Sequence, residues 1–152
     1  MKKISRRGFT AMIVGGFLVC FMAMGFDSVA GLDYYEIFLN KQLVMKRAMN
    51  QPLADQAVSL NTAGANDQLV INYYQCHSND GLGKGRTIVL KDSKGAVVKE
   101  WQFADGNAEN KTMVISMKEL TQLGKGYEDG SLSLFYASKE TAPLKMMTIK
   151  FN

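Results

Sequence analysis

Apolar and polar residues alternate with a period of two along most of the chain after residue 31, which is the pattern of half-buried β-strands. Turn-forming residues separate these segments at short intervals. The alternation predicts strands at residues 32–39, 42–48, 57–60, 69–76, 87–91, 97–103 and 112–117, and two more around Leu132, Leu134 and Tyr136 and around Met147, Ile149 and Phe151. About nine short strands predict an all-β fold of two packed layers.

The segment 69–103 holds the only Trp, the only His and the only Cys outside residues 1–30. It predicts a three-stranded antiparallel unit, in which a glycine-rich loop joins strand 69–76 to the hairpin 87–103. At the tip of that hairpin, Asp92 can bond to its own backbone and Gly95 can take a left-handed conformation. In an earlier hairpin, Asn40 can supply the positive φ that a two-residue turn demands.

One short helical turn interrupts the strands. Ser116 and Glu119 match a capping box, and Gly124 is suited to end the helix. The turn is followed by Tyr127 and Gly130 and then by an alternating strand, which resembles the crossover between the sheets of immunoglobulin-like domains. We therefore expect one domain, residues 31–152, folded as an immunoglobulin-like antiparallel β-sandwich of eight to nine strands. A closed barrel is the alternative.

The N-terminal segment has the organisation of an export signal. An uncharged run spans residues 8–26, and small residues at 28–30 suit cleavage before Gly31. Residues 1–30 are therefore predicted to be a signal peptide, and the protein to be periplasmic or secreted. The alternative is an uncleaved anchor that holds the chain in the inner membrane by residues 8–26. Both general secretion and twin-arginine export fit the basic residues that precede the run, which are Lys2, Lys3, Arg6 and Arg7.

Charge and cysteine content narrow the possible partners. Four of the 18 basic residues and one of the 14 acidic residues lie in residues 1–30, which leaves the domain with a net charge of +1. This balance argues against nucleic-acid binding. Cys76 is the only cysteine beyond residue 30, so the domain has no internal disulfide, and a dimer linked through Cys76 is one option.

The residues that could support catalysis or metal binding are few. Cys76 and His77 are neighbours at a strand end, so their side chains should point to opposite faces and not form a nucleophile and base pair. We therefore expect no enzymatic activity. Thiolate, imidazole and thioether groups suit monovalent copper, which makes Cys76 and His77 candidate ligands, although methionines also fill core gaps. The methionines considered are Met45, Met49, Met113, Met117, Met146 and Met147.

Two surfaces are candidates for partner binding. The first is a flexible loop between strands, formed by Gly81, Gly83, Lys84, Gly85 and Arg86. The second is an aromatic surface, because adjacent tyrosines in a strand face opposite ways, and Tyr35 and Tyr74 are expected to point outward. The sequence thus predicts a non-enzymatic module that binds protein or glycan in the cell envelope. The alternative is a periplasmic copper-binding or redox-active protein that uses Cys76, His77 and the methionines.

Overall fold

The computed structural model describes residues 31–52, 57–60, 63–76, 82–107, 109–127 and 130–151, all within one unit, Gly31–Asn152. The predicted signal segment lies outside the described residues. No helix among the described residues is long and apolar enough to cross a membrane. The described residues contain β1 (Tyr34–Leu39), β2 (Gln42–Ala48), β3 (Ala57–Ser59), β4 (Gln68–Tyr74), β5 (Thr87–Lys91), β6 (Val97–Gln102), β7 (Met113–Ser116), α1 (Met117–Gly124), β8 (Ser131–Ala137) and β9 (Leu144–Lys150).

The strands pair into two sheets. The first has the antiparallel order β2-β1-β4-β7, and the second has the order β3-β9-β8-β5-β6, in which only β3 runs parallel to its neighbour. Alternate residues of both sheets are buried in one shared core, because each strand turns one apolar face toward the other sheet. The prediction of an all-β sandwich with one short helical crossover is confirmed. Its immunoglobulin-like character stays a prediction.

The three-stranded unit predicted for residues 69–103 is wrong. β4 pairs with β1 and β7 in the first sheet, whereas β5 and β6 belong to the second sheet. The segment between β4 and β5 therefore crosses from one sheet to the other instead of closing a hairpin. Local alternation is the same in both arrangements, and the choice depends on the distant strands β1 and β8, which pair with β4 and β5.

Both predicted hairpins are confirmed. β5 pairs with β6, and in their turn the Asp92 carboxylate accepts hydrogen bonds from the amides of Lys94 and Ala96 while Gly95 has φ of 82°. In the β1–β2 hairpin, Asn40 has φ of 55°, as the turn requires. Residues close in sequence make all of these contacts, so local chemistry was enough to predict them.

The helix α1 connects β7 of the first sheet to β8 of the second, as expected, but the predicted capping box is wrong. The Ser116 side chain makes no capping hydrogen bond. Glu119 instead accepts a hydrogen bond from Trp101 Nε1 at 3.1 Å and pairs with Lys99 at 3.4 Å, which ties the helix to the edge strand β6. Gly124 is needed for close packing, since a Cβ there would lie 2.5 Å from the Phe151 ring.

Candidate functional site

The glycine-rich loop is hydrogen-bonded to two other loops. The amide of Lys84 donates to Glu140 Oε2 at 3.0 Å, and the amide of Gly85 donates to Asp105 Oδ1 at 2.7 Å. The hydrogen bond from the Lys84 amide, as the largest cause, lowers the pKa of Glu140 below its usual value. These two amides are already bonded to carboxylates of the protein, so they do not form a cradle for an external anion.

Backbone bonds complete the connection between the three loops. The amide of Gly106 donates to the Gly83 carbonyl at 2.9 Å, and the amide of Lys139 donates to the Lys84 carbonyl at 2.8 Å. We call the residues joined in this way, 82–86, 103–107 and 138–141, the loop end. Gly81, which the sequence assigned to this loop, lies outside the described residues. The described part of the loop is hydrogen-bonded to a second loop on each side.

Arg86 lies inside this arrangement and not on its surface. Only 1% of its area is exposed, and its guanidinium donates to the carbonyls of Ala104, Asn110 and Lys111. Burial is the main cause that lowers its pKa from the usual value. The side chain thus fixes the loop after β6, which corrects the expectation that Arg86 belongs to a flexible, partner-binding loop. The sequence does contain a sign that Arg86 points inward. It lies two residues before Ile88 and four before Leu90, so it falls on the same, inward face of the strand.

A buried glutamine, which the sequence interpretation missed, also organises the loop end. Gln75 Nε2 donates to Ser138 Oγ at 3.0 Å and to Thr141 Oγ1 at 2.7 Å. Gly83, which has φ of 71°, packs against Gln75 and Tyr136. A Cβ on residue 83 would lie 3.0 Å from Gln75 Oε1 and 2.8 Å from the Tyr136 hydroxyl. Gln75 continues the alternation of β4 past its last residue, and this was the available sequence signal.

A shallow cleft of about 510 Å³ adjoins the loop end. Its apolar wall includes Met49, Pro143 and Leu144, and its polar groups include Asp33 and Glu140. Asp33 is held in place, because its carboxylate accepts hydrogen bonds from the Tyr73 hydroxyl at 3.2 Å and from the Cys76 amide at 2.9 Å. The full lining is Gly31, Leu32, Asp33, Met49, Tyr73, Glu140, Thr141, Ala142, Pro143 and Leu144.

The aromatic surface is present, but with a different tyrosine from the one expected. Tyr35 is only 2% exposed, and its hydroxyl donates to the Met146 carbonyl in the opposite sheet at 2.6 Å. Tyr34 lies on the outer face, where its ring stacks on Tyr74 at a centroid distance of 4.4 Å. The expectation for Tyr35 is therefore wrong and that for Tyr74 matches its half-buried outer position. Alternation defines two faces of a strand but not which one is buried.

The candidate copper ligands are not brought together among the described residues. Cys76 is exposed and its thiol donates to the Leu32 carbonyl at 2.8 Å, while His77 lies outside the described residues. Within the described ranges, no group of three or more His, Cys, Asp or Glu side chains could hold a metal ion. Four of the methionines, Met113, Met117, Met146 and Met147, are buried in the core.

The other two methionines lie outside that buried set. Met45 is half-buried beside the Tyr35 hydroxyl, and Met49 lines the cleft. No family model, curated protein or solved structure matches this chain.

Proposed function

We propose that this protein is a non-enzymatic binding module of the periplasm or the extracellular space, which binds protein or glycan through the loop end and the adjoining cleft. The observation that carries the proposal is the set of hydrogen bonds that joins three separate loops. Loops that are ordered before binding lose less conformational entropy when a partner docks. Such an end surface is suited to recognition of a macromolecule.

The chemistry exposed at the loop end supports this role. Lys84, Lys139 and Asn107 are exposed and lie on backbone that the loop contacts hold in place. The neighbouring cleft adds apolar wall and carboxylate groups. Mixed charge beside an apolar recess is typical of surfaces that bind other proteins or polar polymers.

We also propose that the sandwich is of the immunoglobulin-like type. The order of the sheets supports it, because α1 carries the chain from β7 in one sheet to β8 in the other. Binding loops in such domains cluster at one end of the sandwich. The loop end has this position, since it follows β4 and β8 and precedes β5.

The test is partner capture with charge-reversed variants. The protein with Lys84→Glu and Lys139→Glu should lose the envelope proteins that the wild type retains in a pull-down, or the glycans that it binds on an array. The matched control carries Lys94→Glu and Lys125→Glu, two exposed positions at the opposite end of the sandwich, and has the same net charge. We expect the control to keep wild-type binding. Equal binding by both variants would show that the loop end is not the binding surface.

A further inference from the structure

An apolar row crosses the outer face of the first sheet from edge to edge. Leu43 lies opposite Phe38, Phe38 opposite Val70, and Val70 opposite Val114, on β2, β1, β4 and β7 respectively. The two end members are 50% and 41% exposed, and the two central ones are half-buried. Residues that are direct cross-strand partners share one face, so the four side chains form a continuous stripe on the outside of the sandwich.

Most of the remaining residues of this face are polar or aromatic, with Ala48 opposite Tyr34 as an exception, and the charges of the face balance. Lys46 and Glu36 form an ion pair of 2.7 Å, and Asn72 lies next to Glu36 on β4. Beyond them, Tyr34 and Tyr74 stack. The face thus carries, from one end to the other, the exposed polar residues Gln68 and Ser116, the apolar row, a neutral polar row and an aromatic row.

The outer face of the second sheet differs in charge. Its strands present Lys91, Lys145 and Lys150 but only one acid, Glu100. Lys91 Nζ lies 4.7 Å from the centre of the Phe135 ring, so the lysine covers the main aromatic side chain of this face. Two copies of such a surface would repel each other, whereas two copies of the first face would not.

We propose that the outer face of the first sheet packs on the same face of a second copy of this chain. The two-fold axis runs parallel to the strands and passes between β1 and β4. This axis lays β2 over β7 of the other copy, so that Leu43 meets Val114 of the partner subunit. It also places Phe38 against Val70 of the partner subunit, and every contact occurs twice, as an isologous interface requires.

The positions of the charged residues favour this axis. It places the carboxylate of Glu36 near the amide of Asn72 of the partner subunit. The other in-plane axis, which runs along the polar row, would set Glu36 against Glu36 of the partner subunit and Lys46 against Lys46 of the partner subunit. Like charges in direct opposition destabilise an interface, so only the first axis matches both the apolar and the polar rows.

The size of the face indicates a weak dimer. Four strands spaced about 4.8 Å apart, with about six residues of about 3.4 Å each, cover roughly 20 Å by 20 Å. A footprint of about 400 Å² for each copy, or about 800 Å² in total, is below the roughly 1,200 Å² of stable interfaces and in the range of weak, transient ones. Association should therefore depend on protein concentration.

The test is sedimentation of the full chain, expressed with its own N-terminal segment, in reducing buffer that excludes a Cys76 disulfide. We expect dimer to form as the concentration rises to about 100 µM. Leu43→Lys with Val114→Lys places like charges opposite each other and should weaken association more than about tenfold, or roughly 1.4 kcal/mol. Leu43→Glu with Val114→Lys should dimerise again, because this axis sets each new carboxylate against a new ammonium group.

A control variant and circular dichroism keep the result interpretable. Val97 is 60% exposed on the edge strand β6 of the other sheet, so Val97→Lys should leave the dimer unchanged. Circular dichroism must show that each variant is folded. A wild type that stays monomeric at about 100 µM overturns the proposal, as does a dimer that survives Leu43→Lys with Val114→Lys. Failure of the opposite-charge pair to restore association overturns the axis.

Discussion

Two pairs of tyrosines in this molecule stack with almost the same geometry, but one pair joins the two sheets and the other lies on the outside of one sheet. Tyr73 and Tyr136 have ring centroids 4.0 Å apart and planes 14° apart, and they come from opposite sheets. Tyr34 and Tyr74 have centroids 4.4 Å apart and planes 15° apart, and they are direct partners on the outside of one sheet. The inner pair links the two layers, and the outer pair covers part of a surface.

Magnitudes show which contribution makes the two pairs unequal. An aromatic pair is worth about 0.5–1.5 kcal/mol beyond the burial of its area. Removing an aromatic side chain of about 200 Å² from water contributes about 5 kcal/mol. Both rings of the inner pair are fully buried, whereas the outer rings are only partly so. Burial, and not ring geometry, therefore decides the importance of each pair for stability.

The largest expected effect comes from truncating one ring of each pair. Tyr73→Ala should lower the free energy of unfolding by about 3–5 kcal/mol, because it opens a cavity between the sheets and removes a hydrogen bond to Asp33. Tyr74→Ala is the matched control on the next residue of the same strand and should cost about 1 kcal/mol. Urea titration measures both values. Similar losses at the two positions would contradict the placement of Tyr73 on the inner face of β4 and of Tyr74 on its outer face.

A smaller effect is expected when the inner pair is disturbed from the loop end. Gly83→Ala adds a Cβ 2.8 Å from the Tyr136 hydroxyl at a position with φ of 71°. Gly95→Ala is the control, since its φ is 82° but nothing lies within 4 Å of its Cβ.

Left-handed strain alone should cost about 1–2 kcal/mol at Gly95. The loss at Gly83 should exceed that of the control by about 1–3 kcal/mol, which thermal or urea unfolding would detect. Equal losses in the two variants would mean that the loop yields without pressing on the inner pair.

High pH should act on the inner pair with the smallest effect. Burial is the main cause that raises the pKa of Tyr73 above 10.0, and the nearby Asp33 raises it further. The phenolate is thus disfavoured in the folded state, so this contribution to stability is complete below pH 10.0 and is lost as the pH rises through the folded pKa.

The measurement is urea unfolding at several pH values on both sides of pH 10.0. Above that pH, unfolding of the wild type should release about one proton more than unfolding of Tyr73→Phe. The free energy of unfolding of the variant should therefore fall less steeply with pH. An unchanged decline in the variant would indicate that Tyr73 ionises equally well in the folded protein.

The predictions that succeeded from sequence concern residues close together in the chain. The turns at Asn40 and Asp92 were predicted from the chemistry of those residues, and both hairpins formed as expected. The strands of the described residues followed from hydrophobic periodicity. The short helix α1 was predicted from the Ser116 and Glu119 pattern and from Gly124, although the capping hydrogen bond of that pattern does not form. These features depend on φ preferences and side-chain hydrogen bonds that act within a few residues, so the local sequence is enough to predict them.

The predictions that failed depend on residues far apart. Period-two alternation placed Tyr34 and Tyr35 on opposite faces but did not say which face would meet the core. The segment between β4 and β5 could equally join two strands of one sheet, and pairing with β1 and β8 decided otherwise. The contribution of Arg86 depends on carbonyls 18 to 25 residues away in the sequence.

By itself, the sequence determined the strands, their turns and an all-β class. Only the tertiary structure decided which sheet each strand joins, which tyrosines become the inner pair and which loops meet at the loop end. The physical reason is that a strand makes its backbone hydrogen bonds with other strands and buries its inner face against the other sheet, and outside the hairpins these partners are distant in the chain.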